Sequence, residues 1–331
     1  MNPRNQPDCG DRRAEYAALT TSAGLVDLDG RTRIEMAGAD RAVFLHNLCT
    51  NEIKKLARGA GCEAFLLDAR GHVLAHMFVM CRAESLVLET VPGQEPRLMA
   101  HLDRYLIRER VELRGRSGEW GELLLAGPNT PEIIAKLTET PLPTSRLAHV
   151  DASLAGRPAT LARVEFGGPF GCLIFCRRED VASLSQALLD AGATPCDLEA
   201  FETARIEAGF PMYGPDISDK NLPQEVARDA LAISFSKGCY IGQETVARID
   251  ALGHVNKTLV GVRFAGEQVP PVGTELTIGG QAAGQVTSAV FSPRLDAPLA
   301  LAYVRRGGEI PQTALESSVG RAEVVALPLV R

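Results

Sequence analysis

The chain has 331 residues and a formal net charge of −6 at pH 7, and 45% of its residues are hydrophobic. A chain of this length is too long for one ordinary core, so we expect two or three domains. The negative charge argues against a broad nucleic-acid-binding surface, and we expect no direct nucleic-acid binding.

The N-terminal segment and the cysteines indicate the compartment. Residues 1–19 are polar and lack the apolar core of a signal peptide, and no apolar run approaches transmembrane length. The eight cysteines are scattered along the chain and do not form a short disulfide framework. We therefore expect a cytoplasmic protein with reduced thiols and no membrane contact.

The first part of the chain has an α+β pattern. Helices are predicted over residues 16–25, 40–48 and 97–106. Strands are predicted over residues 31–36, 62–67, 72–81, 85–90 and 111–113. Because strands flank a helix there, residues 46–125 are expected to form an α+β module.

A second α+β pattern precedes an all-β tail. Strands are predicted over 123–125, 160–165 and 171–176, and helices over 132–137, 181–191 and 197–208. Asp197 is expected to cap the last of these helices. From residue 259 onward only strand-like runs occur, at 259–264, 274–278, 281–290 and 299–304. This tail predicts a small β-barrel of about 70 residues.

The octapeptide 237–244, Lys-Gly-Cys-Tyr-Ile-Gly-Gln-Glu, is the most informative motif. Its two glycines permit a tight loop, and the residues after it predict a helix over 243–252. Cys239 would lie just ahead of a helix N-terminus with Lys237 nearby, and both features favour the thiolate. We predict that Cys239 is reactive and that Lys237 assists it; the alternative is a structural, buried cysteine.

Glu207 is the second candidate. It falls in the last turn of the predicted helix 197–208, where the helix dipole disfavours negative charge. Either the side chain is solvent-exposed, or it binds a cationic or hydrogen-bond-donating ligand. The long segment 211–225 that follows contains three prolines and is typical of a binding loop.

Four segments in this order resemble the folate-binding YgfZ family, which is related to the aminomethyltransferase, or T-protein, of the glycine cleavage system. The segments are 205–209, 214–217, 223–225 and 237–244. The octapeptide points to the YgfZ branch, whereas the other segments are shared across the superfamily.

The resemblance implies an α+β fold of three domains in a cloverleaf, with tetrahydrofolate in a central channel. It implies a discontinuous folate-binding domain formed by residues 1–45 and 126–256. An inserted α+β domain would occupy residues 46–125, and a C-terminal β-barrel domain would occupy residues 257–331.

The resemblance also places a pterin-binding acid at Glu207. The 2-aminopyrimidinone edge of tetrahydrofolate has two adjacent N–H donors, which a carboxylate accepts in bidentate fashion. The other predicted folate contacts are Arg205, Tyr240, Gln243 and Arg248. The glutamate tail of the folate needs a cation. The sequence offers three candidates and does not rank them: Arg163, Arg248 and Lys257. No metal site is predicted.

In the T-protein branch an acidic residue after a glycine turn drives one-carbon transfer, whereas Ala75 and His76 occupy the matching positions here. We therefore hypothesise that the chain is not a true aminomethyltransferase. The resemblance then implies a tetrahydrofolate-binding accessory protein that uses Cys239 to assemble or repair iron–sulfur enzymes, including tRNA-thiolating enzymes. Iron–sulfur client enzymes would be its partners. The alternatives are a folate-dependent aminomethyltransferase and a non-catalytic folate-binding scaffold.

Overall fold

The computed structural model describes residues 9–165 and 170–329, which form a mixed α/β structure with two open sheets and a barrel. The helices are α1 (Cys9–Thr21), α2 (Arg41–His46), α3 (Glu95–Asp103), α4 (Thr130–Leu137), α5 (Val181–Asp190), α6 (Leu198–Glu207), α7 (Asp229–Ala232) and α8 (Gln243–Leu252). Within the described residues, no helix is both long and apolar enough to cross a membrane.

The strands before the barrel are β1 (Gly24–Asp27), β2 (Thr32–Ala37), β3 (Gly61–Leu67), β4 (Val73–Cys81), β5 (Ser85–Thr90), β6 (Glu112–Gly115), β7 (Trp120–Ala126), β8 (His149–Leu154), β9 (Arg157–Val164), β10 (Gly171–Arg177) and β11 (Thr194–Cys196). The barrel strands are β12 (Lys257–Phe264), β13 (Glu275–Ile278), β14 (Gln281–Ser292), β15 (Ala297–Arg305), β16 (Ala314–Ser317) and β17 (Gly320–Val325).

The six-stranded sheet has the order β11-β1-β7-β10-β9-β8 and is antiparallel except for the β1–β11 pair. Apolar side chains of α4 and α5 pack on one of its faces, among them Ile134 and Leu188. The prediction of a helix over residues 16–25 was wrong at its C-terminal end. Helix α1 ends at Thr21, and residues 24–27 form a strand that pairs with β7.

The five-stranded sheet has the order β3-β4-β5-β2-β6 and is antiparallel. Residues of α2 and α3, including Leu45 and Leu102, pack against one face. The other face presents Phe78, Met80 and Val87 to the six-stranded sheet, and the two sheets enclose a shared apolar core.

Sheet membership differs from the predicted boundaries at two strands. β2 pairs with β5 and β6 in the five-stranded sheet, although residues 1–45 were assigned to the discontinuous domain. β7 pairs with β1 and β10 in the six-stranded sheet, although residues up to 125 were assigned to the inserted domain. By pairing, the chain therefore changes sheets between β1 and β2 and again between β6 and β7. The division into three domains stays a prediction.

The C-terminal strands close into a six-stranded barrel of order β12-β15-β14-β13-β16-β17, in which β12 pairs with β17. Buried apolar side chains such as Phe264 and Leu276 fill its core. The predicted β-barrel is confirmed. Its last two strands, β16 and β17, were not predicted.

Helix α6 lies between these units. The Asp197 side chain accepts a hydrogen bond from Ala200 N at 2.8 Å, so the predicted N-cap is confirmed. Ala200, Phe201 and Ala204 face the core between the two sheets. The C-terminal end of α6 contacts the barrel, where Arg205 donates a hydrogen bond to Ser288 of β14.

Candidate functional site

A small pocket lies where β4, β5 and the segment after α6 meet. Its lining residues are Arg31, His76, Met77, Phe78, Glu89, Val91, Phe210, Pro211, Met212 and Tyr213. The pocket has a volume of about 10 Å³, which is the space for about one water molecule. We call it the central pocket.

His76, the residue at the position expected to be acidic, is buried in the wall of this pocket. In the β3–β4 register, Phe65 lies opposite His76 and Glu63 lies opposite Phe78. Glu63 and His76 are therefore diagonal neighbours on one face of the sheet. His76 Nε2 lies 2.7 Å from Glu63 Oε1. A carboxylate thus stands beside His76, supplied by the neighbouring strand.

Glu63 has two further cationic partners. Arg228 binds it in bidentate fashion, with Nε to Oε1 at 2.7 Å and Nη2 to Oε2 at 2.6 Å. Arg146 donates a hydrogen bond to Glu63 Oε2. Burial alone raises the pKa of Glu63, but the charge of His76 and the hydrogen bonds from Arg228 outweigh it and hold the pKa well below its usual range. Glu63 is therefore ionised although it is 0% exposed.

Aromatic rings fix the orientation of this group. The His76 ring lies 5.1 Å from the Phe65 ring and 5.5 Å from the Phe210 ring. The Arg228 guanidinium lies 5.2 Å from the centroid of the same Phe210 ring. We call Glu63, His76, Arg146 and Arg228 the Glu63 cluster.

Sequence reasoning missed Glu63. The available signal was an acid inside the predicted strand 62–67, which is otherwise largely apolar, and the turn at 68–71 that pairs this strand with the one bearing His76. Arg228 gave no comparable signal, because 165 positions separate it from Glu63.

A second ion-pair group lies on the same sheet face. Arg31 Nε donates to Glu89 Oε1 and lies 3.3 Å from Glu122 Oε1. Burial and the neighbouring charge of Glu89 raise the pKa of Glu122 well above its usual value. Arg31 and Glu89 also line the central pocket, so the pocket is polar on one side and aromatic on the other.

Glu207, the predicted pterin-binding acid, is 0% exposed at the C-terminal end of α6. Its carboxylate accepts hydrogen bonds from the Tyr16 hydroxyl at 2.6 Å and from the Ser292 hydroxyl. Arg294 Nε lies 3.8 Å from Glu207 Oε2. Burial and the hydrogen bond to Glu207 raise the pKa of Tyr16 to about 12. Glu207 is thus a buried carboxylate held mainly by neutral hydroxyls.

Arg205 is also 0% exposed, and its donors are used within the protein. Its Nη1 donates to Asp216 Oδ2 at 2.9 Å and to the Phe210 carbonyl at 3.1 Å. Its Nη2 donates to the Ser288 hydroxyl at 3.0 Å. The structure therefore uses Arg205 to join α6, the 210–216 segment and the barrel.

The octapeptide has a buried amine and an exposed thiol. Lys237 Nζ donates to the carbonyls of His46, Cys49 at 2.7 Å and Asn51 at 3.0 Å, and burial lowers the pKa of Lys237. Cys239 is exposed. Lys237 thus fixes the loop to the end of α2, and no described contact joins its amine to the Cys239 thiol.

The remaining predicted folate contacts lie in or beside α8, whose predicted extent is confirmed as Gln243–Leu252. Tyr240 is buried, with the Lys237 amine 4.6 Å from its ring centroid, and burial raises its pKa. Gln243 is half-buried and Arg248 is exposed. Neither these residues nor Cys239, Lys237, Arg205 and Glu207 line the central pocket as the structure describes it. Their roles toward folate stay predictions.

The cations considered for the folate tail differ in their surroundings. Arg163 Nη1 donates to the carbonyls of Val164 and Gly171. Lys257 Nζ lies 3.7 Å from Glu225 Oε2, and Arg248 is exposed on α8. These contacts do not rank the three candidates.

Family models match nearly the whole chain. The model of the GCVT N-terminal domain matches residues 8–237, and that of the glycine cleavage T-protein C-terminal barrel domain matches residues 257–330. The chain belongs to the glycine cleavage T-protein family. The matches support this superfamily but do not separate the YgfZ branch within it.

Relatives in the T-protein family are similar over nearly their full length. An aminomethyltransferase of Streptomyces avermitilis is 31% identical, over 97% of this chain and 90% of its own length. One of Symbiobacterium thermophilum is 32% identical, over 96% and 88%. The crystal structure of the glycine cleavage system aminomethyltransferase T from Bartonella henselae matches with a TM-score of 0.87 at 21% identity, over 96% of this chain and 89% of that one. The predicted aminomethyltransferase-type fold is confirmed.

These relatives overturn the main functional hypothesis. The chain was expected to serve iron–sulfur enzymes through Cys239, yet its near-full-length relatives in the T-protein family are named aminomethyltransferase. That name favours the alternative left open by the sequence. The hypothesis rested on a carboxylate missing at positions 75 and 76, and it took no account of Glu63 on the adjacent strand. The expected iron–sulfur client enzymes lose their support with it.

Proposed function

We propose that this chain is a tetrahydrofolate-dependent aminomethyltransferase of the T-protein type. Near-full-length similarity to proteins named aminomethyltransferase supports this function. Aminomethyltransferases of this family use tetrahydrofolate, so the predicted cofactor is confirmed at the level of the family. Within the chain, the observation that carries the proposal is the hydrogen bond between His76 and Glu63 in the wall of the central pocket.

The Glu63 cluster supplies the carboxylate that is missing at positions 75 and 76. An imidazole can hold or release a proton near neutral pH. The hydrogen bond to ionised Glu63 orients the His76 ring, and Phe65 and Phe210 confine it. Arg228 and Arg146 keep Glu63 ionised. In this proposal His76 exchanges a proton with the reacting amine, and the other members of the cluster position it.

The surroundings of Glu207 suit the pterin edge in chemistry. Glu207 is buried without a bidentate cation, so its oxygens can accept from the paired N–H donors of the pterin edge. Glu207 lies outside the lining of the central pocket, three residues before segment 210–213, which forms one wall of that pocket.

Binding is tested first, by calorimetric titration of tetrahydrofolate into the wild-type protein, Glu207→Gln and Glu199→Gln. Glu199 is the control because it lies on the same helix with its side chain 64% exposed. It forms an ion pair with Arg12. Loss of a charge-assisted bidentate contact predicts about tenfold weaker binding for Glu207→Gln. Glu199→Gln should bind like the wild type. Equal affinities for all three proteins would remove Glu207 from the site.

Turnover is tested with the purified protein, tetrahydrofolate and an aminomethyl-lipoyl carrier. The expected product is methylenetetrahydrofolate, formed in proportion to the protein and only when tetrahydrofolate is present. A folded protein that binds tetrahydrofolate yet forms no product above the protein-free control would contradict the proposed transfer. It would then favour the non-catalytic scaffold, the other alternative left open by the sequence.

The narrower YgfZ resemblance rests on octapeptide 237–244 and remains our proposal about this chain's branch within the superfamily. Its support is the octapeptide alone, because the other three segments are shared across the superfamily. In the structure this segment forms a loop fixed by Lys237 and followed by α8.

A further inference from the structure

A second pocket lies on the same sheet face as the central pocket and shares no lining residue with it. It has a volume of about 200 Å³. Its lining residues are Arg33, Glu35, Arg82, Val87, Arg116, Glu119, Trp120 and Arg177. They come from both open sheets, so the pocket lies at the junction between them. We call it the Arg33 pocket.

The lining carries four arginines against two glutamates, in a chain whose net charge is −6. Both glutamates are already engaged by one arginine. Arg116 Nε donates to Glu35 Oε2 at 3.1 Å, and its Nη1 donates to Glu119 Oε2 at 2.7 Å. The two glutamates therefore pair with Arg116, and Arg82 pairs with Asp151 outside the lining, which leaves Arg33 and Arg177 without a carboxylate partner among the described residues.

Arg33 is the most unusual of these arginines. It is 5% exposed, and its guanidinium lies 4.4 Å from the Trp120 ring centroid and 4.7 Å from that of Phe175. Nη1 is buried and has no hydrogen-bond partner, and Arg33 forms no ion pair with any described residue. Burial lowers the pKa of Arg33 to about 10 against the opposing effect of Glu122. A buried donor without a partner carries a desolvation cost that a bound acceptor would relieve.

Two neighbouring arginines add donors at the same place. Arg177 is exposed, and its side chain makes no ion pair or hydrogen bond with the residues that the structure describes. Arg82 uses Nη2 for Asp151 Oδ1 at 2.8 Å and keeps its remaining donors. The planar guanidinium group binds two oxygens of one oxyanion in bidentate fashion, which suits both carboxylates and phosphates.

We propose that the Arg33 pocket binds a small oxyanion, the carboxylate or phosphate group of an organic ligand, between Arg33 and Arg177. A volume of about 200 Å³ accommodates one such group with its immediate substituent. The site is separate from the central pocket and does not depend on the proposed transfer reaction.

Trp120 provides a direct readout, because it is the only tryptophan of the chain and lines the pocket. Inorganic phosphate and glutarate are titrated separately into the full-length protein at constant ionic strength, with chloride as the balancing ion, while tryptophan fluorescence is recorded. We expect a saturable one-site change with at least one of the two probes and none with chloride. A tighter response to phosphate assigns a phosphate ester, and a tighter response to glutarate assigns a carboxylate ligand.

Variants decide whether the response comes from this pocket. Arg33→Met should abolish it and Arg177→Gln should weaken it about tenfold, the loss expected for one charge-assisted contact. Arg263→Gln, an exposed change on barrel strand β12, should leave it unchanged. If Arg33→Met does not fold, Arg177→Gln alone decides the test, because Arg177 is exposed and its replacement should leave the fold intact.

Two results would overturn the proposal. One is the absence of a saturable change with both probes. The other is a response of equal affinity in the wild type and Arg177→Gln, which would place the anion elsewhere. In either case the arginines of this pocket would serve only to join the two sheets.

Discussion

The Glu63 cluster and octapeptide 237–244 are built in opposite ways. The cluster gathers three side chains, those of His76, Arg146 and Arg228, around the buried, ionised carboxylate of Glu63. The octapeptide is contiguous, yet its amine is bound to backbone carbonyls and its thiol is exposed. A conspicuous local motif here defines the conformation of a loop, whereas the group with matched acid–base partners is formed only by tertiary structure.

The largest expected effect concerns the cluster. His76→Gln removes the proton-exchanging imidazole, so we expect the turnover number for methylenetetrahydrofolate formation to fall on the order of 1000-fold. His72→Gln is the matched control, because His72 lies in the same hairpin but contacts Asp68 and does not line the central pocket. Equal losses in both variants, or none in His76→Gln, would contradict the role of the cluster.

The second effect concerns stability. Arg228→Met removes one partner of a buried carboxylate and leaves two hydrogen bonds unmade. Breaking such a pair costs about 3 kcal/mol of unfolding free energy, at the low end because Arg146 remains. Urea unfolding measures the loss, with the exposed Arg263→Met as control. A loss no greater than the control's would mean that the cluster contributes little to the fold.

The sequence predicted those parts of the molecule that depend on local pattern. Helix α8, the Asp197 cap and the barrel were predicted because periodicity, capping residues and turns act over a few positions. The sequence could not show that residues 24–27 form a strand, since that strand depends on pairing with β7 and β11.

The candidate site was harder to predict for the same reason. Glu63 is 13 positions from His76, and a cross-strand register brings them together. Arg228 reaches Glu63 from the position directly before the short helix α7, which no local pattern specifies. A missing acid at one position was therefore weak ground for excluding acid–base chemistry.

The third effect is a pH dependence. The folded-state pKa of Glu63 lies below its unfolded value, so its contribution to stability is present above about pH 4.3 and is lost as the pH falls toward the folded pKa. We expect the unfolding free energy of the wild type to decrease between about pH 5 and pH 3. It is measured at pH values about half a unit apart. Glu63→Gln should show a shallower decrease. Parallel curves would assign the acid sensitivity to other carboxylates.

The smallest effect concerns the octapeptide and leaves the fold intact. Cys239 is exposed, whereas Cys49 and Cys172 are buried and burial raises the pKa of their thiols to about 11 and about 12. Because the thiolate is the reacting form, Cys239 should be alkylated at neutral pH at least about tenfold faster than these two. Mass spectrometry after timed iodoacetamide treatment gives the order of labelling. Labelling of Cys49 at the rate of Cys239 would show that the loop fixed by Lys237 opens in solution, and the contrast between a packed cluster and an anchored loop would then fail.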